Sequence, residues 1–168
     1  NGENPYSGMG NHNLSVADVD EDGKDEIIFG AMTIDDDGSG LYTTGFRHGD
    51  AIHVSDLDPK IPGLERFGVH EIEEGTKGPG VVLYSAKDGN VLFEAQPNED
   101  VGRGVAANID STRIGAQMWW SGNRDLHDIK GNPIGRAPRV ANFLIWWDGD
   151  PTRELLNSNY IEKYGKGR

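Results

Sequence analysis

The 168 residues contain no cysteine, which removes disulfides, zinc thiolates and cysteine nucleophiles together and leaves the redox compartment open. No apolar run approaches the roughly 20 residues of a membrane span, so no membrane partner is expected. Basic residues are scarce: 16 Lys and Arg stand against 28 Asp and Glu, a formal net charge of −12. Such an acidic surface repels phosphate backbones, so nucleic acid is not an expected partner either. Only 35% of the residues are hydrophobic, below the usual globular share. There is no initiator Met and no charged-then-apolar leader, so Asn1 reads as a processed or excised start. Glycine, by contrast, is abundant at 24 residues, about twice its average usage, and implies many turns. So many carboxylates need organising, and divalent cations are the first candidate.

Short apolar runs between turn residues dominate. Ile27-Ile28-Phe29, Val81-Val82-Leu83-Tyr84, Val91-Leu92-Phe93 and Phe143-Leu144-Ile145-Trp146-Trp147 read as strands. Asp88-Gly89-Asn90 between the second and third is a hairpin signal, because the glycine takes positive φ freely. A 3.6-residue period is not sustained anywhere; residues 153–164 are the best helix candidate. The expected class is all-β.

Three segments share one pattern: an alternating core with two Asp or Asn, a polar turn, then an acid or amide before an apolar residue. They are Val16-Ala17-Asp18-Val19-Asp20 leading to Glu26, Val54-Ser55-Asp56-Leu57-Asp58 leading to Glu65, and Ala106-Ala107-Asn108-Ile109-Asp110 leading to Gln117. A divergent echo is Trp147-Asp148-Gly149-Asp150 with Glu154. The spacing suits four-stranded β-propeller blades, with repeats starting near residues 14, 52 and 104. Closed propellers take four to eight blades, and three blades of about 45 residues use most of this chain. Stacked repeats cannot bury their end faces alone. The expectation is therefore a partial propeller over 1–168, with the remaining blades as its partners, rather than an unusual small β fold.

The sharpest motif is Asp18-Val19-Asp20-Glu21-Asp22-Gly23-Lys24-Asp25-Glu26. Alternating carboxylates at Asp18, Asp20 and Asp22, a glycine for the turn, the Lys24 carbonyl and a closing acid form the opening half of an EF-hand-type calcium loop. Either Glu26 or Asp25 can close it. The position-twelve glutamate of an EF-hand is missing, since Phe29 stands there, and the flanks are strand-like. Asp35-Asp36-Asp37 reads equally as a solvated turn. Asp56 and Asp58, and Asn108 and Asp110, are weaker calcium candidates, with fewer carboxylates in the loop.

His12, His48, His53 and His70 lie in the first 70 residues, with His127 apart. With Asp50 and Glu71, two of them could bind a metal or act as acid–base groups near neutral pH. His53 sits inside an apolar alternation and reads as structural. Arg103, between two glycines, suits bidentate carboxylate recognition or a salt bridge to the acidic surface. Trp119-Trp120 and Trp146-Trp147 could line a sugar groove, although alternation sends one ring of each pair inward.

Taken together, Gly10-Asn11-His12-Asn13, Gly40-Leu41-Tyr42-Thr43-Thr44-Gly45, His48-Gly49-Asp50-Ala51, Ser55-Asp56-Leu57-Asp58, Val69-His70-Glu71, Asp100-Val101-Gly102-Arg103-Gly104 and Trp146-Trp147-Asp148-Gly149-Asp150 resemble, in order, the rhamnogalacturonan lyases of polysaccharide lyase family eleven. The resemblance implies a secreted, calcium-loaded, eight-bladed β-propeller that cleaves the rhamnogalacturonan I backbone of pectin by β-elimination at galacturonate. By the same resemblance His12, His48, Asp50 and Glu71 surround a calcium ion, a departure from its usual all-oxygen shell, and Arg103 faces the substrate beside Asn11. His12 and His48 are base candidates if the metal does not take them; a base outside these residues is the alternative. The rival reading is a non-catalytic, calcium-stabilised propeller module for carbohydrate binding or adhesion.

Overall fold

The computed structural model describes residues 4–72, 77–139 and 143–165, which form fifteen strands and no helix. Strands β1 (Ser15–Ala17), β2 (Glu26–Phe29), β3 (Met32–Ile34) and β4 (Gly40–Thr43) make the first sheet. The second holds β5 (Gly49–Ser55), β6 (Glu65–His70), β7 (Pro79–Ser85) and β8 (Val91–Pro97). The third holds β9 (Gly104–Ala107), β10 (Gln117–Trp120), β11 (Asp125–Asp128) and β12 (Pro133–Arg136), and β13 (Phe143–Ile145), β14 (Glu154–Asn157) and β15 (Tyr160–Glu162) make the last. Every sheet is an antiparallel meander in chain order. The all-β expectation holds, and Gly89 turns β7 into β8 at φ +75° as its motif requires.

Residues 153–164 hold β14, a turn and β15, not the helix their spacing allows. Ser158 turns the chain at φ +47°, and Leu155 and Leu156 pair with Glu162 and Ile161 across that turn. Pairing of β14 with β13 on its other side completes the override.

The sheets pack as an open row, with contacts from β1 to β5, β5 to β9 and β9 to β13. Between the first and second lie Val19, Ile28, Ile52 and Ala86. Phe67, Val69 and Leu83 meet Met118 and Trp120 between the second and third. Val105, Trp119 and Leu126 meet Leu155 between the third and last. This explains the tryptophans. Strand alternation does send Trp119 and Trp120 to opposite faces, but both faces of the third sheet are covered, so both rings are buried. Trp146 and Trp147 lie beyond β13 and are both exposed, contrary to one-in, one-out alternation.

One contact recurs in all four sheets. The residue opening the second strand, Glu26, Glu65, Gln117 or Glu154, is buried and turns its side-chain oxygen back to the loop before it. Glu26 accepts from Val19 N–H at 2.8 Å. Glu65 accepts from Leu57 and Asp58 at 2.8 and 2.9 Å. Gln117 accepts from Ile109 and Asp110 at 3.0 and 2.9 Å, and Glu154 from Trp147 at 2.9 Å. Backbone N–H groups that leave the ladder inside a packed interface need such an acceptor. Burial raises the carboxyl pKa of Glu26 and Glu65 above the ordinary glutamate value, against these hydrogen bonds.

Gln117 shows that a neutral amide suffices. Glu65→Gln should therefore melt no lower than wild type at neutral pH, while Glu65→Ala should lose about 1–3 kcal/mol by orphaning two buried donors. Because the folded pKa of Glu65 is raised, its contribution to stability falls as pH rises through the window from about 4.5 upward. Thermal melts against pH should show that slope flattened in Glu65→Gln.

Candidate metal centre

Residues 10–12, ahead of β1, are knitted to the start of β5 where the histidine motifs lie. His12 N–H donates to the Gly49 carbonyl at 3.1 Å, and Gly49 N–H to Gly10 at 3.2 Å. Glu71 N–H donates to the His48 carbonyl at 3.0 Å. Gly49 is needed for this closeness: a Cβ there would lie 2.3 Å from the Val69 carbonyl oxygen. The backbone net converges four side chains. His12, His48, Asp50 and Glu71 each offer a ligand atom, and these atoms lie within 4.8 Å of one another. His12 Nε2 stands 3.3 Å from Asp50 Oδ1, and the two imidazoles meet edge to face with centroids 4.9 Å apart. Two imidazole nitrogens and two carboxylates form a donor set that fits a divalent cation.

His70 does not join them. It is fully buried, with Nδ1 3.2 Å from the Arg47 carbonyl and Nε2 3.1 Å from Arg66 Nη1. A guanidinium only donates, so Nε2 accepts and Nδ1 carries the proton to Arg47. That bond tethers the backbone immediately before His48, where Arg47 sits at φ +70°. Burial, reinforced by Arg66, pushes the His70 pKa down to about 3.

Arg103 is exposed and its guanidinium bonds the Gly102 carbonyl at 2.6 Å. It lines a cleft of about 420 Å³ with Asn13, Asp50, His53, Phe143 and Arg153. A Cβ on Gly102 would lie 3.1 Å from Asp50 Oδ2, so Arg103 sits one residue from the metal candidates. His53 has Nε2 3.3 Å from the Gly104 carbonyl, and burial lowers its pKa to about 4. Asn11 is buried beside this net with no hydrogen-bond partner for either side-chain polar atom. His127 stacks on Trp120, away from the cluster.

The acidic loop forms a second candidate. Asp18 accepts from Glu21, Asp22 and Gly23 N–H, and Gly23 takes φ +92°. Asp18, Asp20 and Asp22 cluster, and Asp22 also clusters with Glu26 and Asp36. Of the two acids that could close the loop, Glu26 lies in a cluster and Asp25 is exposed. Glu26 Oε1 is buried with no hydrogen-bond partner, as a ligand oxygen for a divalent ion would be. Lys24 instead lends its ammonium to Asp36 at 2.9 Å, from the exposed rim. Asp36 is the contribution sequence spacing leaves undecided, because only the β2–β3 register brings it over Glu26.

In the other loops side chains of the protein itself supply the charge. Asp58 pairs with Lys130, and Asp110 with Arg113 at 3.4 Å. Neither joins a cluster of three acidic or imidazole groups among the described residues. Asp148, Asp150 and Glu154 do cluster, but Lys163 reaches all three, at 2.9 Å from Asp148 and 2.7 Å from Glu154.

A model of the rhamnogalacturonan lyase family 11 C-terminal domain matches residues 1–168. The chain belongs to this family. It is 51% identical over 164 residues to the rhamnogalacturonan endolyase YesW of Bacillus subtilis (strain 168), covering 97% of this chain and 26% of that protein. It is 51% identical over 173 residues to the rhamnogalacturonan exolyase YesX of the same organism, covering 98% of this chain and 28% of that protein. The solved structure of a rhamnogalacturonan lyase PL11 from Bacillus licheniformis superposes with a TM-score of 0.88 at 53% identity, over 96% of this chain and 27% of that one. The chain thus spans about a quarter of the length of the family 11 relatives it matches.

His53 and His70 both hold folded pKa values below 6.5, so the unfolded chain binds more protons as pH falls. Their contributions are intact above about 6.5 and are lost progressively toward pH 4 and 3. Melts with chelator present should show this decline, and His70→Asn should lessen it. His70→Asn keeps a donor for the Arg47 carbonyl, whereas His70→Gln keeps only the Arg66 acceptor. The tether predicts that His70→Gln disturbs His48 NMR shifts more than His70→Asn does; equal effects would mean that His70 only fills space.

Proposed function

We propose that this chain is part of the propeller of a calcium-dependent polysaccharide lyase that cleaves the rhamnogalacturonan I backbone of pectin by β-elimination at galacturonate. The observation that carries the reading is the convergence of His12, His48, Asp50 and Glu71 beside an arginine-lined cleft. Four meanders stacked through their first strands suit successive blades. They number one more than the three repeats expected from spacing, because the divergent echo at 147–154 carries a three-stranded sheet of its own. Leu14, Val16 and Ile27, each 44–54% exposed on the first sheet, suit a face that a further blade would cover. A polymer substrate makes an extracellular setting part of the same proposal. So is calcium in the Asp18–Glu26 loop, where the buried Glu26 oxygen supports it.

Elimination removes the proton at C5 of a galacturonate, which the neighbouring carboxylate makes poorly acidic. Calcium bound by the four side chains would supply a positive charge that offsets this carboxylate. Arg103 reaches the same cleft and offers a fork of donors to a carboxylate or to the enolate-like charge that develops from it. His53 is held neutral by burial at the cleft wall and keeps the backbone of Arg103 and Gly104 in place through its Gly104 bond. Asn11, buried beside His12, does not line this cleft, so contact with the substrate carboxylate falls to Arg103 rather than to Asn11. With His12 and His48 taken by the metal, a base outside these four ligands accepts the C5 proton. The C4–O bond breaks as that proton is lost and the C4 oxygen leaves, giving an unsaturated sugar end. Such a cleft lets a protein of net charge −12 hold a polyanion, because the local charge is reversed.

With the intact protein, rhamnogalacturonan I should yield products with the ultraviolet absorbance of an unsaturated uronate, and exhaustive chelation should abolish it. His48→Ala should lose calcium-dependent turnover, and Arg103→Ala should lower kcat by about two to three orders of magnitude. Binding of the polysaccharide without turnover would favour a non-catalytic carbohydrate-binding module. Turnover indifferent to chelation and to both substitutions would overturn the site.

A further inference from the structure

A second cleft, also lined by Arg103, opens at the end of the third sheet. It has a volume of about 500 Å³ and is lined by Arg103, Arg124, Arg136 and Arg139 with the turn after β10. Among the described residues no acidic side chain lines it, although Asp and Glu outnumber Lys and Arg by 28 to 16 in this chain. Four guanidiniums in one concave site is a local reversal of the prevailing charge. Ser121 N–H donates to the Arg103 carbonyl at 2.9 Å, and Ala137 N–H to the Arg124 carbonyl at 2.9 Å. Those bonds tie the segment of Arg103, the β10–β11 turn and the end of β12 into one frame. Gly122 makes the turn at φ +88°. Among the described residues none of the four arginines forms an ion pair; Asp125 stands opposite Arg136 in the β11–β12 register but makes none with it. The donors of Arg124, Arg136 and Arg139 therefore remain available to an external acceptor, while Arg103 spends Nη1 on the Gly102 carbonyl.

We propose that Arg124, Arg136 and Arg139 form an anionic subsite that binds a uronate carboxylate of the substrate chain at a distance from the bond being cleaved. Arg103 lines both this cleft and the one holding Asp50, so a single chain laid across Arg103 reaches both. Guanidinium forks match planar carboxylates bidentately, so arginine suits a repeating uronate better than lysine would. Neutral sugars between the uronates would have no ionic partner here. The subsite thus selects a polymer in which acidic units recur, and it contributes binding rather than chemistry. The identity of the polymer rests on the lyase reading above.

The test uses the intact protein carrying Arg124→Gln, Arg136→Gln and Arg139→Gln together. All three side chains are exposed, so their loss orphans no buried group; a melting curve checks this. Substrates are rhamnogalacturonan I oligosaccharides and the same oligosaccharides with their carboxylates reduced to alcohols. The triple variant should raise KM for the native oligosaccharides by on the order of tenfold with kcat within about twofold, the signature of lost uniform binding. Its KM should also depend less steeply on salt, and calorimetry should show wild type, but not the variant, preferring native over carboxyl-reduced chains. Unchanged KM and salt dependence, or a fall in kcat alone, would overturn the subsite while leaving the lyase reading intact. If wild type cleaves no rhamnogalacturonan but still binds oligogalacturonate through these arginines, the subsite stands and the lyase reading falls.

Discussion

Each sheet depends on one buried side-chain oxygen that accepts backbone N–H groups from the loop before its second strand. Glu26, Glu65, Gln117 and Glu154 occupy the equivalent position, and each is buried. The loop must leave its strand between packed layers, where an unpaired N–H costs about 1–3 kcal/mol. A side chain reaching back from the neighbouring strand removes that cost and fixes the loop's shape. Three of the four positions use glutamate, which brings a buried negative charge as well as an acceptor. That charge needs an answer.

The four loops answer it differently. In the third, Gln117 avoids the charge. In the last, Lys163, only 14% exposed, spans Asp148, Asp150 and Glu154, so an ammonium fills the centre of the acid cluster. In the second, Lys130 pairs with the buried Asp58 beside Glu65. The first loop has the densest set of carboxylates, and its lysine stays 61% exposed on the rim, pairing with Asp36 rather than Glu26. A hard divalent cation fits that loop for the same reason a lysine fits the last one. The histidine cluster differs from all four. It is built from the entries to the first and second sheets rather than from a loop closed by its own glutamate.

Much of this was legible in the sequence, and the reasons are local. Alternation and turn chemistry disclose the strands, and the Asp/Asn–turn–Glu/Gln pattern discloses the repeats because the recurring contact is made between its own two ends. The ordered motifs point to the family, and His12, His48, Asp50 and Glu71 do converge. What escaped needed tertiary context. Leu155, Leu156 and Ile161 have a spacing that a helix could use, and only pairing with β13 and β15 makes them strands. Trp119 and Trp120 alternate as expected, yet both are buried because sheets cover both faces. His70 resembles His12 and His48 in sequence but faces Arg66 in the core. Lys163 and Asp36 lie too far along the chain from their partners for spacing to connect them.

The most direct test of this account is an anomalous-difference map from crystals of the intact protein grown with calcium. The expected map has a calcium peak coordinated by His12, His48, Asp50 and Glu71, a second closed by Glu26 and Asp36, and none at Asp148 and Asp150, where Lys163 stands. A map with His12 and His48 turned away from an empty cluster would contradict it.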